Sequence, residues 1–359
     1  MVSIRSLRSL LDRRPDLPEQ NQGSRRIAMK FYARRITFYL VTLWATISLN
    51  FLLPRLMPGN PADIIIAKMQ RQGEVSDTTI RNIQLMLGTG GDEPLLEQYF
   101  AYWGRLLHGD LGISVTKYPA PVAELIASAL PWTIILVGVA TVISFVLGIL
   151  IGAWVGWKRG TWVDHLVPST TVLQSIPYFW LALVLVAIFA VNLRWFPIVG
   201  GYDVFDFPAG PEWSWAFFVD AVEHATLPAI TIVLSSVGGW LFGMRNMMVS
   251  TLSEDHIVTA EAKGLRPRRI LTAYAARNAA IPSIAGFSIT LGFVVAGSIV
   301  MEQVFTYPGV GKLMFQAVQN NDYALMQGVF LVITITVLAA NFIMDLVYGF
   351  IDPRARHNV

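Results

Sequence analysis

Residues 131–157 read PWTIILVGVATVISFVLGILIGAWVGW, 27 consecutive positions without an Asp, Glu, Lys or Arg. As an α-helix at 1.5 Å per residue the stretch extends about 40 Å, past the roughly 30 Å of a bilayer's hydrocarbon core. A strand of a membrane barrel would alternate apolar and polar residues, and Ile134-Ile135-Leu136-Val137 does not. The stretch is therefore read as a membrane-crossing helix. Gly148 and Gly152, four residues apart, give it a small-residue face on which another helix can pack.

Five further stretches share the property: 36–53, 166–193, 225–244, 279–301 and 323–344. With the first they make 138 of 359 residues. Composition agrees, since 54% of the chain is hydrophobic and only 14% charged, against about 25% charged in an ordinary soluble domain. The expected fold class is thus an all-α polytopic membrane protein with six transmembrane helices. Residues 1–35 form a basic N-terminal arm, 36–53 the first helix, 54–130 a sizeable external segment, 131–350 the core with helices two to six, and 351–359 a tail.

An even number of crossings puts both termini on one side. Lys and Arg number 19 on that side and 8 on the other, and six of the eight fall in the long segment 54–130, which is exempt from the positive-inside rule. Both termini are expected to be cytoplasmic, in a multi-pass protein of the cell's plasma or inner membrane. The net charge of +3 and the pI near 9.1 then report orientation rather than nucleic-acid binding. The arm, with Arg13-Arg14, Arg25-Arg26 and Arg34-Arg35 interspersed with Pro15, Pro18 and Gly23, reads as a flexible inner-face extension. The first apolar run leads into Leu53-Pro54-Arg55 rather than a small-residue cleavage site, and is read as an uncleaved helix.

Several chemistries lack their residues. There is no Cys, hence no disulfide or thiolate site. The nearest approach to a phosphate-cradling loop, Gly309-Val310-Gly311-Lys312-Leu313, lacks the first Gly and the closing hydroxyl. The five histidines show no metal-ligand spacing, so no metal site and no catalytic residue is assigned. Carriers driven by protons or sodium usually place ionisable groups at mid-membrane. All six runs are empty of them; Glu302 and Asp345 lie at helix ends, where a structural or capping role is expected. A secondary carrier or channel working alone is therefore the weaker alternative to a subunit whose motor lies elsewhere.

The segment 250–281, STLSEDHIVTAEAKGLRPRRILTAYAARNAAI, reads as two short helices around a break. Val258, Ala262 and Leu265 follow i, i+4, i+7 and make one apolar stripe, while Glu254, Asp255, Glu261 and Lys263 fall largely off it. Gly264 permits a turn, and Pro267 suits the first position of a second helix bearing Arg268, Arg269 and Arg277. The amphipathic element is either an interfacial helix on anionic lipid or a docking helix for a cytoplasmic partner.

Thr259-Ala260-Glu261-Ala262-Lys263-Gly264-Leu265, followed by Ala276-Arg277-Asn278-Ala279 and Pro282, resembles the EAA-type coupling segment of ABC importer permeases in the dipeptide, oligopeptide and nickel group. MPGNPA at 57–62, GDLGIS at 109–114, LPWT at 130–133, SIPYFW at 175–180, WFPIVG at 195–200, HATLPA at 224–229, VFTYPGVGKL at 304–313, NDYALMQG at 321–328 and DPRAR at 352–356 resemble further motifs of that group, in family order.

The resemblance implies a type I importer permease fold and a distinct set of partners: a sibling permease, expected to be a different chain, two ABC ATPase subunits and an external solute-binding protein. It implies no cofactor in this chain, ATP and Mg being held by the ATPases. Val258, Ala260, Ala262, Lys263, Gly264, Leu265, Arg266, Arg268 and Arg269 become the ATPase-coupling residues, and 54–130 the landing surface for the binding protein. Gln174 and Pro177 in the third span and Asn341 in the sixth are the pore-lining candidates, because proline loosens a helix and polar groups avoid lipid. Glu261 stands where many peptide permeases carry Arg or another residue, and the basic arm is longer than usual. The substrate, peptide, oligosaccharide or nickel complex, stays open; Tyr202, Phe205, Phe207 and Trp213 suit a sugar or a membrane interface equally.

Overall fold

The computed structural model describes residues 19–56, 66–67, 70, 76–77, 80, 94–292, 294 and 299–351. Its helices are α1 (Glu19–Leu56), α2 (Leu95–Leu107), α3 (Val122–Trp157), α4 (Trp162–Ser175), α5 (Tyr178–Leu185), α6 (Trp215–Thr251), α7 (Asp255–Ala262), α8 (Pro267–Arg269), α9 (Arg277–Gly292), α10 (Ile299–Val304), α11 (Val310–Gln319) and α12 (Tyr323–Ile351). Two π-helical turns, Val186–Asn192 and Ile270–Ala276, continue α5 and lead into α9. The described residues contain no β-strand, only an isolated bridge between Ile113 and Pro121.

Among the described residues four helices are long and apolar enough to cross a membrane, over Arg34–Leu52, Val122–Trp157, Trp215–Thr251 and Tyr323–Ile343. The third and fifth apolar runs are built differently. Run 166–193 is interrupted at Ile176-Pro177, where Pro177 ends the extended link and α5 begins. Run 279–301 covers α9 and the start of α10, with residue 293 and residues 295–298 outside the description. Helices also overrun the apolar stretches. α3 starts at Val122, directly after Pro121, and runs through Glu124, so residues 122–130 at the end of the expected external segment are helical and continuous with the second apolar run. Residues 19–35, part of the arm read as flexible, are helical and continuous with the first apolar run in α1. Residues 1–18 and 352–359, and with them DPRAR, lie outside the described residues, as does MPGNPA.

α3 and α6 form the central pair, and three glycines explain how close they come. A Cβ on Gly152 would sit 2.5 Å from the Leu241 carbonyl and 2.8 Å from Met244 Cβ. One on Gly156 would meet Met248 Cβ at 2.5 Å, and one on Gly148 would overlap Trp240 Cβ. The three rungs are four residues apart, so the backbone of α6 lies directly in the groove they leave. Above the ladder the Ser144 and Ser236 hydroxyls pair at 2.8 Å. Beside it Phe145 and Phe287 stack at 4.1 Å between centroids, with the Trp240 ring edge-on to Phe145.

The outer helices attach through polar pairs that would be costly if left open in lipid. Asn50 of α1, almost fully buried, donates through Nδ2 to the Gln327 carbonyl of α12 at 2.7 Å, and Gln327 Nε2 donates to the Asn50 carbonyl at 2.8 Å. Hydroxyls within the helices return to the carbonyl four residues earlier, as Thr42 does to Phe38, Thr231 to Leu227 and Thr336 to Val332. Large exposed side chains such as Leu40, Ile135 and Leu150 then face outward, where hydrocarbon takes the place of a protein core.

Candidate functional site

α6 ends at Thr251, which is buried, and the chain turns through Leu252–Glu254 into α7. Eight residues cannot hold a helix in water by themselves, so α7 depends on what it packs against. Ile257 and Ala260, three residues apart and 1% and 2% exposed, fill a cluster with Met244 and Met248 of α6, Ile270 and Ala275 of the π-helical turn, and Ala279 of α9. His256 adds a polar tie, with Nε2 3.2 Å from Asn278 Nδ2 and Nδ1 3.2 Å from Glu254 Oε2.

The opposite face of α7 is uncovered. Val258 is 59% exposed, and Glu261, Ala262 and Lys263 are exposed beside it. The expected break falls at Gly264, whose φ of +68° is left-handed and whose N–H bonds the Glu261 carbonyl at 2.8 Å. Nothing lies within 4 Å of a Cβ placed there, so glycine is required by conformation and not by space within the chain. Arg266 caps α8, and Arg266, Arg268 and Arg269 are all exposed. None of the ion pairs among the described residues involves them.

The structure therefore divides the nine coupling candidates. Val258, Ala262, Lys263, Arg266, Arg268 and Arg269 share the free side with Gly264. Ala260 is turned into the protein, and Leu265 is half-buried against the same inner cluster as Ile257. Ile257, not singled out in the sequence, is the anchor; the i, i+3 spacing of Ile257 and Ala260 was the available signal.

The pore candidates are placed separately. Pro177 sits at the break between α4 and α5 and is exposed, followed by exposed Tyr178, Phe179 and Trp180. Gln174 lies in the last turn of α4, with its side chain outside the description. Asn341 is half-buried on α12, which packs on α1, α9, α11 and α3, whereas α5 packs on α6 and α10. No hydrogen bond among the described residues joins these candidates.

At the other end of α3 two buried carboxylates organise the loops. Glu302, fully buried, accepts from Thr133 Oγ1 at 2.7 Å and from the Lys312 N–H at 3.0 Å. Thr133 Oγ1 in turn accepts from the Val310 N–H at 2.8 Å. The carboxylate thus caps the first turn of α11, where unpaired N–H groups and the helix dipole favour negative charge. Gly309 has no room for a Cβ because the Glu302 carboxyl group occupies it. Asp322, also fully buried, caps α12 through the Leu325 N–H at 3.1 Å and holds the loop before α3 through Ser114 Oγ at 2.5 Å and the Thr116 N–H at 2.8 Å.

Towards the end of α3 nearer α7, Asp164 of α4 takes both Nε and Nη2 of Arg245 of α6, at 2.7 and 2.9 Å. The Arg245 guanidinium and then the Gly160 N–H hold the Asp164 carboxyl down at a pKa of about 2.

Comparison with known proteins bears on this arrangement. The family model for the binding-protein-dependent transport system inner membrane component matches residues 148–357. The di/tripeptide transport system permease protein of Pseudomonas aeruginosa (strain UCBPP-PA14) is 32% identical over 341 residues, covering 92% of this chain and 99% of that protein. The dipeptide transport system permease protein of Escherichia coli (strain K12) is 31% identical over 343 residues, with 92% and 99% covered. The oligopeptide transport system permease protein of Bacillus subtilis (strain 168) is 29% identical over 328 residues, with 91% and 99% covered. The chain belongs to the family of inner membrane components of binding-protein-dependent transport systems, the permease subunits of ABC importers, which are not themselves catalytic.

Proposed function

We propose that this chain forms half of the translocation path of an ATP-driven peptide importer, crossing the membrane six times with both termini in the cytoplasm. The observation that carries the reading is the two-faced α7, fixed inside by Ile257 and Ala260 and bare outside at Val258 and Ala262 beside three exposed arginines. Such a face suits a groove on an ATPase, with apolar seating for affinity and the arginines for orientation. A distinct sibling permease would supply the other half of the path, two ATPases would bind ATP and Mg, and a solute-binding protein would deliver the cargo from outside. Closure of the ATPase dimer would push on α7 and tilt the helices to which it is anchored.

Peptides are favoured as cargo because the three relatives named above carry peptides in their names and align along nearly their whole length. Calorimetric titration of the cognate binding protein with di- and tripeptides and with oligosaccharides tests the cargo; saccharide binding without peptide binding would reject it. Uptake into proteoliposomes holding the full complex tests the motor. A Cβ at Gly264 meets no neighbour within 4 Å, though its φ of +68° strains any side chain placed there; in Gly264→Trp ATP hydrolysis should continue while uptake falls. Unchanged uptake in that variant, or transport by the chain alone without ATP, would overturn the reading.

A further inference from the structure

α2 carries two apolar faces, and among the described residues only one of them is covered. Tyr99, Tyr102 and Leu106 pack against Ile47 and Phe51 of α1 and Leu331 of α12, and the Tyr99 hydroxyl pairs with that of Ser48 at 2.7 Å. At 100° per residue Leu96, Phe100 and Leu107 share an arc about 40° wide, turned by about 110° from that contact. They are 67%, 64% and 79% exposed. Glu97, Ala101 and Gly104 lie on the far side.

We infer that α2 is an interfacial helix whose Leu96, Phe100 and Leu107 face is seated among the acyl chains of the leaflet beside α1. Three observations select lipid as the occupant. Thirteen residues give about 20 Å of helix, too short to span but suited to lying along the surface, polar side to water. The exposed face offers no donor or acceptor, whereas a protein interface carries about one hydrogen bond per 100–200 Å². The surface is also continuous with membrane-facing α1: Leu49 and Leu52, 61% and 44% exposed, flank the Phe51 that holds α2 in place.

The seat rests on the membrane character of the family, and only the choice of leaflet rests on the topology proposed above. Because the chain has no Cys, single cysteines can be placed cleanly. Leu96→Cys, Phe100→Cys and Leu107→Cys, with Glu97→Cys, Ala101→Cys and Gly104→Cys as the opposite set, would carry an environment-sensitive fluorophore in the assembled transporter. The transporter would be reconstituted in phosphatidylethanolamine and phosphatidylglycerol vesicles. The first set should be quenched by shallow spin-labelled lipid at least about twofold more than by aqueous iodide, and the second set the reverse. Equal iodide quenching of both sets would overturn the proposal. So would a first set shielded from both quenchers, or shielded only after the solute-binding protein is added, since the occupant would then be a protein. Three independent positions keep the test decisive if one variant fails to assemble. A membrane-impermeant thiol reagent applied to the polar set reports the side of the membrane separately.

Discussion

Alanine at Gly152 and alanine at Gly243 are the same chemical change in helices of one packed pair, and the structure gives them opposite signs. At Gly152 the new methyl falls 2.5 Å from the Leu241 carbonyl and 2.8 Å from Met244 Cβ, atoms fixed to the backbone of α6. Relief requires the two helices to part by roughly half an ångström or more, since ordinary contacts of this kind begin near 3.4 Å. Overpacking of a fitted contact costs up to about 3 kcal/mol. The same parting stretches the 2.8 Å Ser144–Ser236 pair, adding about 1 kcal/mol for a weakened hydrogen bond. Better helix propensity returns about 1 kcal/mol, leaving a loss of about 3 kcal/mol. At Gly243 nothing lies within 4 Å of the methyl, so only the propensity gain of about 1 kcal/mol remains. Equilibrium unfolding of the purified chain in detergent, followed by tryptophan fluorescence and circular dichroism, reads both. A difference between the two variants below about 1 kcal/mol would refute the idea that direct backbone contact sets the α3–α6 distance.

The remaining expectations concern the two ends of that pair. Glu302→Gln places an amide among N–H donors at the start of α11 and should cost about 2 kcal/mol in the same unfolding assay, with Thr133→Ala losing little further in the double variant because the two share one network; full additivity would dissolve the network. Asp164→Asn should lose about 1 kcal/mol. The Asp164 carboxyl is depressed to about 2 in the folded chain. Its contribution is therefore complete above its unfolded value near 3.9 and lost only as pH falls through about 2, so the deficit should be constant from about pH 5 to 9. A deficit that shrinks towards pH 5 would contradict this. Val258→Asp should fold with a midpoint within about 0.5 kcal/mol of the parent while ATP-driven uptake drops by about tenfold or more, the equivalent of 1.4 kcal/mol of seating. Ile257→Asp, which buries an unpaired charge, should fail to accumulate as folded protein. Reversal of these two outcomes would invert the faces of α7.

What the sequence made legible follows the range of the interactions involved. Four of the six apolar runs fall in helices of membrane-crossing length, since that signal is carried by consecutive residues, and the small-residue spacing at Gly148 and Gly152 located the helix contact. Run ends are not helix ends, because charge stops a run but not a helix: α3 runs from Val122 through Glu124 before its apolar stretch begins. The break at Pro177 was readable; that it splits the third span into α4 and α5 depended on tertiary support for the extended link. Within α7 periodicity exposed the Val258 and Ala262 stripe, but no local pattern says which stripe is pinned to the membrane domain. The clamps were the least legible part. Thr133 meets Glu302 across 169 residues and Ser114 meets Asp322 across 208, so neither partner predicts the other. Asn50 could have been flagged by the reasoning applied to Asn341, as a lone amide in an apolar helix.

These contacts also decide how α7 is able to move. Its buried side chains lie against Met244 and Met248, and those two side chains stand opposite Gly152 and Gly156 of α3. Any displacement of α7 therefore acts on α6 at the rungs of the ladder, and α6 cannot slide along α3 there without driving Cβ atoms into glycine backbone. The pair must answer as one body. Its far end is Thr133, tied through Glu302 to the first turn of α11, while α4 follows at the near end through Asp164 and Arg245. Outside the pair, compliance is available where the helix ladder is broken, at the link Ile176-Pro177 and in the two π-helical turns, while within it Pro131 of α3 and Pro228 of α6 each remove one ladder bond. A push on α7 would thus reach the glycine ladder as a movement of α3 and α6 together, rotating them about the breaks outside the pair.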